Sequence, residues 1–229
     1  MNILAIDSSQ QVLSLALFAD GKNYVLDIDA HSKHDELLLD SADKLCRLAG
    51  IRADKIEIAA CMKGPGSFTG LRIAYAAAKG LALALDIPLR AYPTLDCIAL
   101  GLSNYPALVI PAIDAKQGRF FCALYRSNKI LGDYLDLGAE SISELIIKER
   151  LTCEENIILT GSGAELLLTK LLDSRNSSLD PQRLFVDFLP GRGRARELLE
   201  MAKNDILIKE TDINSGPMYI RKSDAEIKR

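Results

Sequence analysis

Two aspartates stand where an apolar run gives way to turn residues. Asp7 closes Ile3-Leu4-Ala5-Ile6 and precedes Ser8-Ser9-Gln10-Gln11, and Asp114 closes Leu108–Ile113 and precedes Ala115-Lys116-Gln117-Gly118. A carboxylate at the end of a buried strand is a hard oxygen donor that can hold magnesium, or its waters, against phosphate. In a turn the same side chain accepts a hydrogen bond from the backbone two residues on. No glycine follows Asp7 before Gly21, so nothing there favours close approach of backbone to phosphate, and residues for hydrolysis are not evident. The turn Gly64-Pro65-Gly66-Ser67-Phe68-Thr69-Gly70 is the other candidate. It leads into a helical pattern whose first N–H groups and dipole favour an anion. It lacks the Gly-Lys-Ser/Thr of a Walker loop. Asp7, Gly64, Gly66, Ser67 and Thr69 are therefore the candidate anion- or nucleotide-binding residues; the plainer alternative is a tight turn that needs glycine for close packing. Ser67 or Thr69 can cap the helix, and Arg72 can reach a phosphate or a partner's carboxylate.

Other chemistry is excluded by count. His31 and His34 are the only histidines, so no histidine-rich metal centre can be built, and with Asp35 they read as a solvated helix start. The five cysteines (Cys46, Cys61, Cys97, Cys122 and Cys153) are odd in number and widely spaced, as expected of reduced core thiols. Tryptophan is absent and aromatics make up 6%, which argues against a base-stacking platform.

These residues need a scaffold, and the pattern supplies one. Three strands are expected in the first thirty residues, with Asp20-Gly21 as a hairpin turn. A helix follows over about 32–49, ending at Gly50. Lys55–Cys61 reads as a strand, 71–85 as a second helix, 89–92 as a strand, and Thr94 as the cap of a helix to about 102. The pattern then restarts. Shifted by 107, residues 3–22 fall on 110–129, where Ile3, Ala5, Ile6, Asp7, Gln10, Ala16, Leu17 and Lys22 meet identical residues. A later strand over 156–159, a turn Gly161-Ser162-Gly163 and a helix over 165–172 repeat the order of the first half. The fold class expected is α/β, a duplicated ribonuclease-H-like or actin-like (ASKHA) fold, with two lobes that each carry a mixed sheet flanked by helices. The boundary falls near Asn104-Tyr105-Pro106, giving lobes 1–105 and 106–229. Residues 175–183 read as a polar loop and 224–229 as a charged tail.

The two helices of the first lobe carry more apolar surface than one core face uses. Leu37, Leu38, Leu39, Ala42, Leu45, Cys46, Leu48 and Ala49 spread over ~200° of the first helix, where about 100° suffices. The second helix is apolar apart from a stripe of Arg72, Tyr75 and Lys79, and is crowded with alanine and glycine. Such surplus is either enclosed or is a helix-docking surface. The 229-residue chain is 48% apolar and 26% charged with net charge −3, which excludes a disordered or fibrous chain and a broad basic footprint. No membrane span is expected from a continuous apolar run, and the opening MNILAID carries no leader pattern, so the expected location is the cytoplasm.

MNILAIDSS, His31-Ser32, KGPGSFTGLRIAYAAAKGLA, AYPTLDCIA and GPMYIRKSDAE occur in the order and spacing of the TsaB (YeaZ) family, which the chain resembles from Met1 to about Glu226. The resemblance implies a non-catalytic subunit that docks, through the first lobe's two helices, on the catalytic paralogue TsaD, which transfers threonylcarbamoyl to the adenosine beside the anticodon of tRNA. It implies an ATPase of the TsaE type as third component, tRNA reached only through the complex, and a homodimer when TsaD is absent; no cofactor, metal or membrane is expected. The stretch Pro93–Leu100 corresponds to the paralogue's metal-binding His-x-x-x-His and has no histidine. With the surplus arc, the expected interface is Leu37, Leu38, Ala42, Leu45, Leu71, Arg72, Ala74, Tyr75, Ala77, Ala78 and Leu81. The charged start of the first helix, His-Ser-Lys-His-Asp-Glu, departs from the family's leucine-rich run. The alternative is a stand-alone ATPase or kinase using Asp7 and Asp114, or a metallopeptidase-like enzyme.

Overall fold

The structure is a computed structural model that describes residues 1–31, 33–149, 155–173, 179–189, 191–204 and 211–221. The chain divides into two compact units, Met1–Cys97 with Gly191–Met218 and Ile98–Pro190 with Tyr219–Arg229.

The first unit opens with β1 (Ile3–Asp7), β2 (Val12–Ala19) and β3 (Lys22–Asp29), followed by α1 (His34–Ala49), β4 (Ile58–Gly64), α2 (Phe68–Leu85) and β5 (Leu89–Pro93). Its strand order is β3-β2-β1-β4-β5, antiparallel among the first three and parallel from β1 through β5. The central strand is apolar at every position before Asp7 because both of its faces are covered. Leu4 and Ile6 join Leu13, Leu15 and Leu17 beneath α1 and α2, whereas Ile3 and Ala5 join Ala16, Ile58 and Ala60 on the opposite face. The period of two along β1 thus serves two helical layers. Gly50 ends α1 in the left-handed conformation at φ 70°, and Asp20 and Gly21 turn the β2–β3 hairpin at φ 49° and 75°.

The helix α3 (Thr94–Leu100) leads into the second unit: β6 (Ala107–Asp114), β7 (Arg119–Cys122), β8 (Tyr125–Arg126), β9 (Lys129–Ile130), β10 (Leu135–Gly138), α4 (Ala139–Glu149), β11 (Asn156–Thr160), α5 (Ala164–Asp173) and β12 (Leu184–Val186). The order β10-β7-β6-β11-β12 repeats that of the first unit, strand for strand and direction for direction. Here the second strand is broken into β7 and β8, and the third into β9 and β10, with residues 131–134 between the latter two. This is the duplicated ribonuclease-H-like layout of the actin-like (ASKHA) class.

Three features differ from the sequence expectation. A 3-10 turn over Ala53–Lys55 delays β4 to Ile58. The helix α6 (Ala195–Asn204) was not anticipated; it lies beyond the expected boundary yet packs Ala195, Leu198, Leu199 and Ala202 on the free face of the first sheet. Burial of the two leucines alone is worth roughly 3–6 kcal/mol, which outweighs the chain's linear order. Third, α2 passes a length-and-composition test for crossing a bilayer although Arg72 and Lys79 interrupt its apolar run, a property the expected continuous runs did not show. Gly70, Leu71, Ala74, Tyr75, Ala78 and Ala82 instead face its own unit, as in the core helix of an α/β layer. Ser32, Cys153, residues 175–178 of the expected polar loop and the tail 224–229 lie outside the described residues, while Pro181–Arg183 forms a 3-10 turn capped by Asp180.

Candidate functional site: a filled strand-end corner and an outward helical stripe

Asp7 is 1% exposed. Its Oδ1 accepts from the Ser9 N–H at 2.9 Å and the Ser9 hydroxyl at 2.6 Å, and its Oδ2 accepts from the Arg194 N–H at 3.2 Å. Burial pushes its carboxyl up from the ordinary value against the pull of those hydrogen bonds. In the second unit Asp114 accepts from the Lys116 N–H at 2.8 Å, and the Lys116 ammonium, also at 2.8 Å, holds it below the usual range. Both aspartates thus make the same bond to the backbone two residues on, which is turn chemistry.

The glycine turn is filled by its own chain. The Ser67 N–H donates to the Ser9 carbonyl at 2.7 Å, and the Ser8 hydroxyl donates to the Gly70 carbonyl at 2.7 Å. A Cβ on Gly66 would lie 2.6 Å from the Ser9 oxygen, and one on Gly70 would strike the Ser8 carbonyl. Gly64, at φ 113°, has the Met218 carbonyl against the position of a Cβ, and the Met218 N–H donates to the Lys63 carbonyl at 2.6 Å. The glycines therefore admit the close approach of the chain's own backbone, at Ser8, Ser9 and Met218. Ser67 caps α2 by accepting from the Gly70 N–H at 3.3 Å, and Thr69 is exposed. The nucleotide and divalent cation that the actin-like class implies do not fit this corner, because Asp7 is closed in and the turn is occupied.

Histidines and thiols follow the same pattern. His34 is buried, its ring 3.1 Å from the Gln10 carbonyl, whereas His31 is exposed beside Asp29. Among the described residues no group of three His, Cys, Asp or Glu converges as a metal would require. Cys46, Cys61, Cys97 and Cys122 are free and buried, and burial pushes the Cys122 thiol up to about 12.

The expected interface separates into two sets. Leu38, Ala42, Leu45, Leu71, Ala74, Tyr75 and Ala78 are buried within their own unit, so as contact residues they are corrected here. The helices α1 and α2 lie on the same face of one sheet, which consumes more of each apolar arc than a single helix would. The polar stripe of α2 is consumed as well. Tyr75 Oη lies 2.7 Å from the Ser215 hydroxyl, and the Lys79 ammonium donates to the Ser215 carbonyl at 3.4 Å. Leu37, Ala77 and Leu81 are half-buried, and Arg72 is exposed with its guanidinium stacked 3.7 Å over the Phe68 ring. Outward on α2, besides Phe68 at its start and Ala84 near its end, stand Thr69, Arg72, Ala76, Gly80 and Leu83, a row at helical spacing, with Leu83 67% exposed and open space around Gly80. On α1 the outward leucines are Leu39 and Leu48, at 63% and 71%. The sequence marked Ala76 and Gly80 as small residues of α2 but left them, with Leu83, out of the expected interface, because periodicity measures an arc without showing which part is covered. Sequence reasoning passed over Gly193 and Arg194, whose only signal was a glycine ahead of the pattern Leu198, Leu199, Ala202.

Comparison with known proteins fits this picture. Residues 25–162 match the family model described as "TsaD: tRNA N6-adenosine threonylcarbamoyltransferase". A Bacillus subtilis protein named tRNA threonylcarbamoyladenosine biosynthesis protein TsaB is 33% identical over 60% of this chain and 66% of its own length; an Escherichia coli protein of the same name is 34% identical over 56% and 57%. The chain thus spans between half and two thirds of these relatives. A solved structure titled YeaZ from Pseudomonas aeruginosa, 24% identical, superposes with a TM-score of 0.71 over 96% of this chain and 99% of that one, which shows the shared fold. The match to the family model takes in more than half of the sequence, so the chain belongs to the TsaD family, and its sequence resembles proteins named TsaB.

Proposed function

We propose that this chain is a non-catalytic partner subunit in threonylcarbamoyl modification of the adenosine beside the anticodon of tRNA. It docks on a TsaD-type transferase through the outward faces of α1 and α2. The observation that carries the reading is the row Thr69, Arg72, Ala76, Gly80 and Leu83, where small residues let another helix approach closely and Leu83 adds apolar area. Leu37, Ala77 and Leu81, half-buried against the first core, keep part of their side chains accessible to a partner. The self-filled corner at Asp7 and the glycine turn supports a role that needs no bound nucleotide on this chain. A TsaE-type ATPase joins the complex, tRNA is reached only through it, and the same surface pairs two copies when the transferase is absent. The working location is the cytoplasm.

A reconstituted transfer assay tests the role. The transferase should modify tRNA faster when this chain is added, Ala76→Glu should not support that gain, and the chain alone should turn over no ATP. ATP turnover by the chain alone, abolished by Asp7→Asn, would instead establish a stand-alone enzyme.

A further inference from the structure

We infer that Asp7 and Ser14, on neighbouring strands, together form a remote cap that latches α6 onto the first sheet. Every helix begins with backbone N–H groups that its own turns cannot satisfy. The segment Gly191-Arg192-Gly193-Arg194 ahead of α6 contains no Ser, Thr, Asp or Asn, so α6 has no local capping side chain. The Arg194 N–H donates to Asp7 Oδ2 at 3.2 Å across 187 residues of chain, and the Ala195 N–H donates to the Ser14 hydroxyl at 3.2 Å across 181. The Leu198 N–H to Arg194 carbonyl bond, 3.0 Å, shows that these donors belong to the helix start. Ser14 is itself held by donating to Asp27 on β3 at 2.5 Å. Gly193 passes so close to Ser14 and Asp27 that a Cβ there would collide with both, so the approach admits only glycine.

Capping and seating of α6 are therefore one event. When α6 leaves the sheet it loses its cap together with its apolar seat on Ile3, Ala5, Ala16, Ile58 and Ala60, so it opens as a unit. The corner that the actin-like class gives to a ligand serves here to join a late segment to the first strands.

Hydrogen exchange on the full chain tests the latch, comparing wild type with Ser14→Ala and Asp7→Asn. Exchange across 195–204 should accelerate at least tenfold in each variant, with 34–49 changed less than twofold. Unchanged exchange in α6, or equal loss in both helices, overturns the latch. If Asp7→Asn does not fold, Ser14→Ala decides by the same criterion. Magnesium with ADP, added to wild type, should leave α6 exchange unaltered; a saturable slowing that Asp7→Asn abolishes would overturn the inference by giving the corner to a ligand.

Discussion

Asp7 and Asp114 accept the same backbone hydrogen bond two residues on, yet their environments drive them apart: burial raises the first and the Lys116 ammonium lowers the second. The sequence offered the turn role and the metal-ligand role for both. It could not show that Arg194, 187 residues away, closes over Asp7, since chain separation carries no signal of contact. A third carboxylate gives the sharper test. Burial pushes Asp136 up, but Arg221 at 2.6 and 2.8 Å and Arg119 at 2.8 Å outweigh it and hold the group below the ordinary value. A carboxyl depressed on folding stabilises the native state above its unfolded value, and that contribution is lost as pH falls through the folded one. Asp136→Asn should thus cost about 1–3 kcal/mol at neutral pH, with the deficit shrinking in acid below the ordinary carboxylate value; thermal unfolding against pH measures it. A deficit that persists unchanged in acid would contradict the assignment.

Helix α2 shows how a single element divides its glycines. Gly70 abuts the Ser8 carbonyl, whereas nothing lies within 4 Å of a Cβ on Gly80. Gly70→Ala should destabilise by about 1–3 kcal/mol through overpacking. Gly80→Ala should stabilise by about 0.5–1 kcal/mol, because alanine restores helix propensity at an open site. Denaturant titration of the two variants should show shifts of opposite sign; equal destabilisation would place Gly80 in a packed environment. Of the elements, α1, α2 and the first hairpin were legible from apolar spacing, Gly50 and Asp20-Gly21. The burial of seven expected interface residues was not, because the apolar arc is a local property and its cover is a tertiary one. The helix α6 escaped for a related reason: its apolar face is short, and what it covers lies on strands from the other end of the sequence.

At the scale of the whole chain, the restart at residue 110 announced two units of the same topology, and the repeated strand order bears that out. Composition could not reveal that residues 191–218 return to the first unit, since a linear boundary assumes that each half supplies all of its own cover. Among the described residues, large apolar side chains stand outward both on the α1–α2 layer of the first unit (Leu39, Leu48, Leu83) and in the second unit at Phe185, Phe188 and Leu189, of which Phe188 is 98% exposed. The proposed docking uses the former. Calorimetric titration of a TsaD-type transferase with wild type, Ala76→Glu and Phe188→Glu separates them. An unpaired carboxylate pressed into the contact should weaken binding at least a hundredfold, about 2.7 kcal/mol, in Ala76→Glu, with its unfolding temperature unchanged and Phe188→Glu binding as wild type. Full affinity in Ala76→Glu, with binding lost in Phe188→Glu, would contradict docking through the two helices.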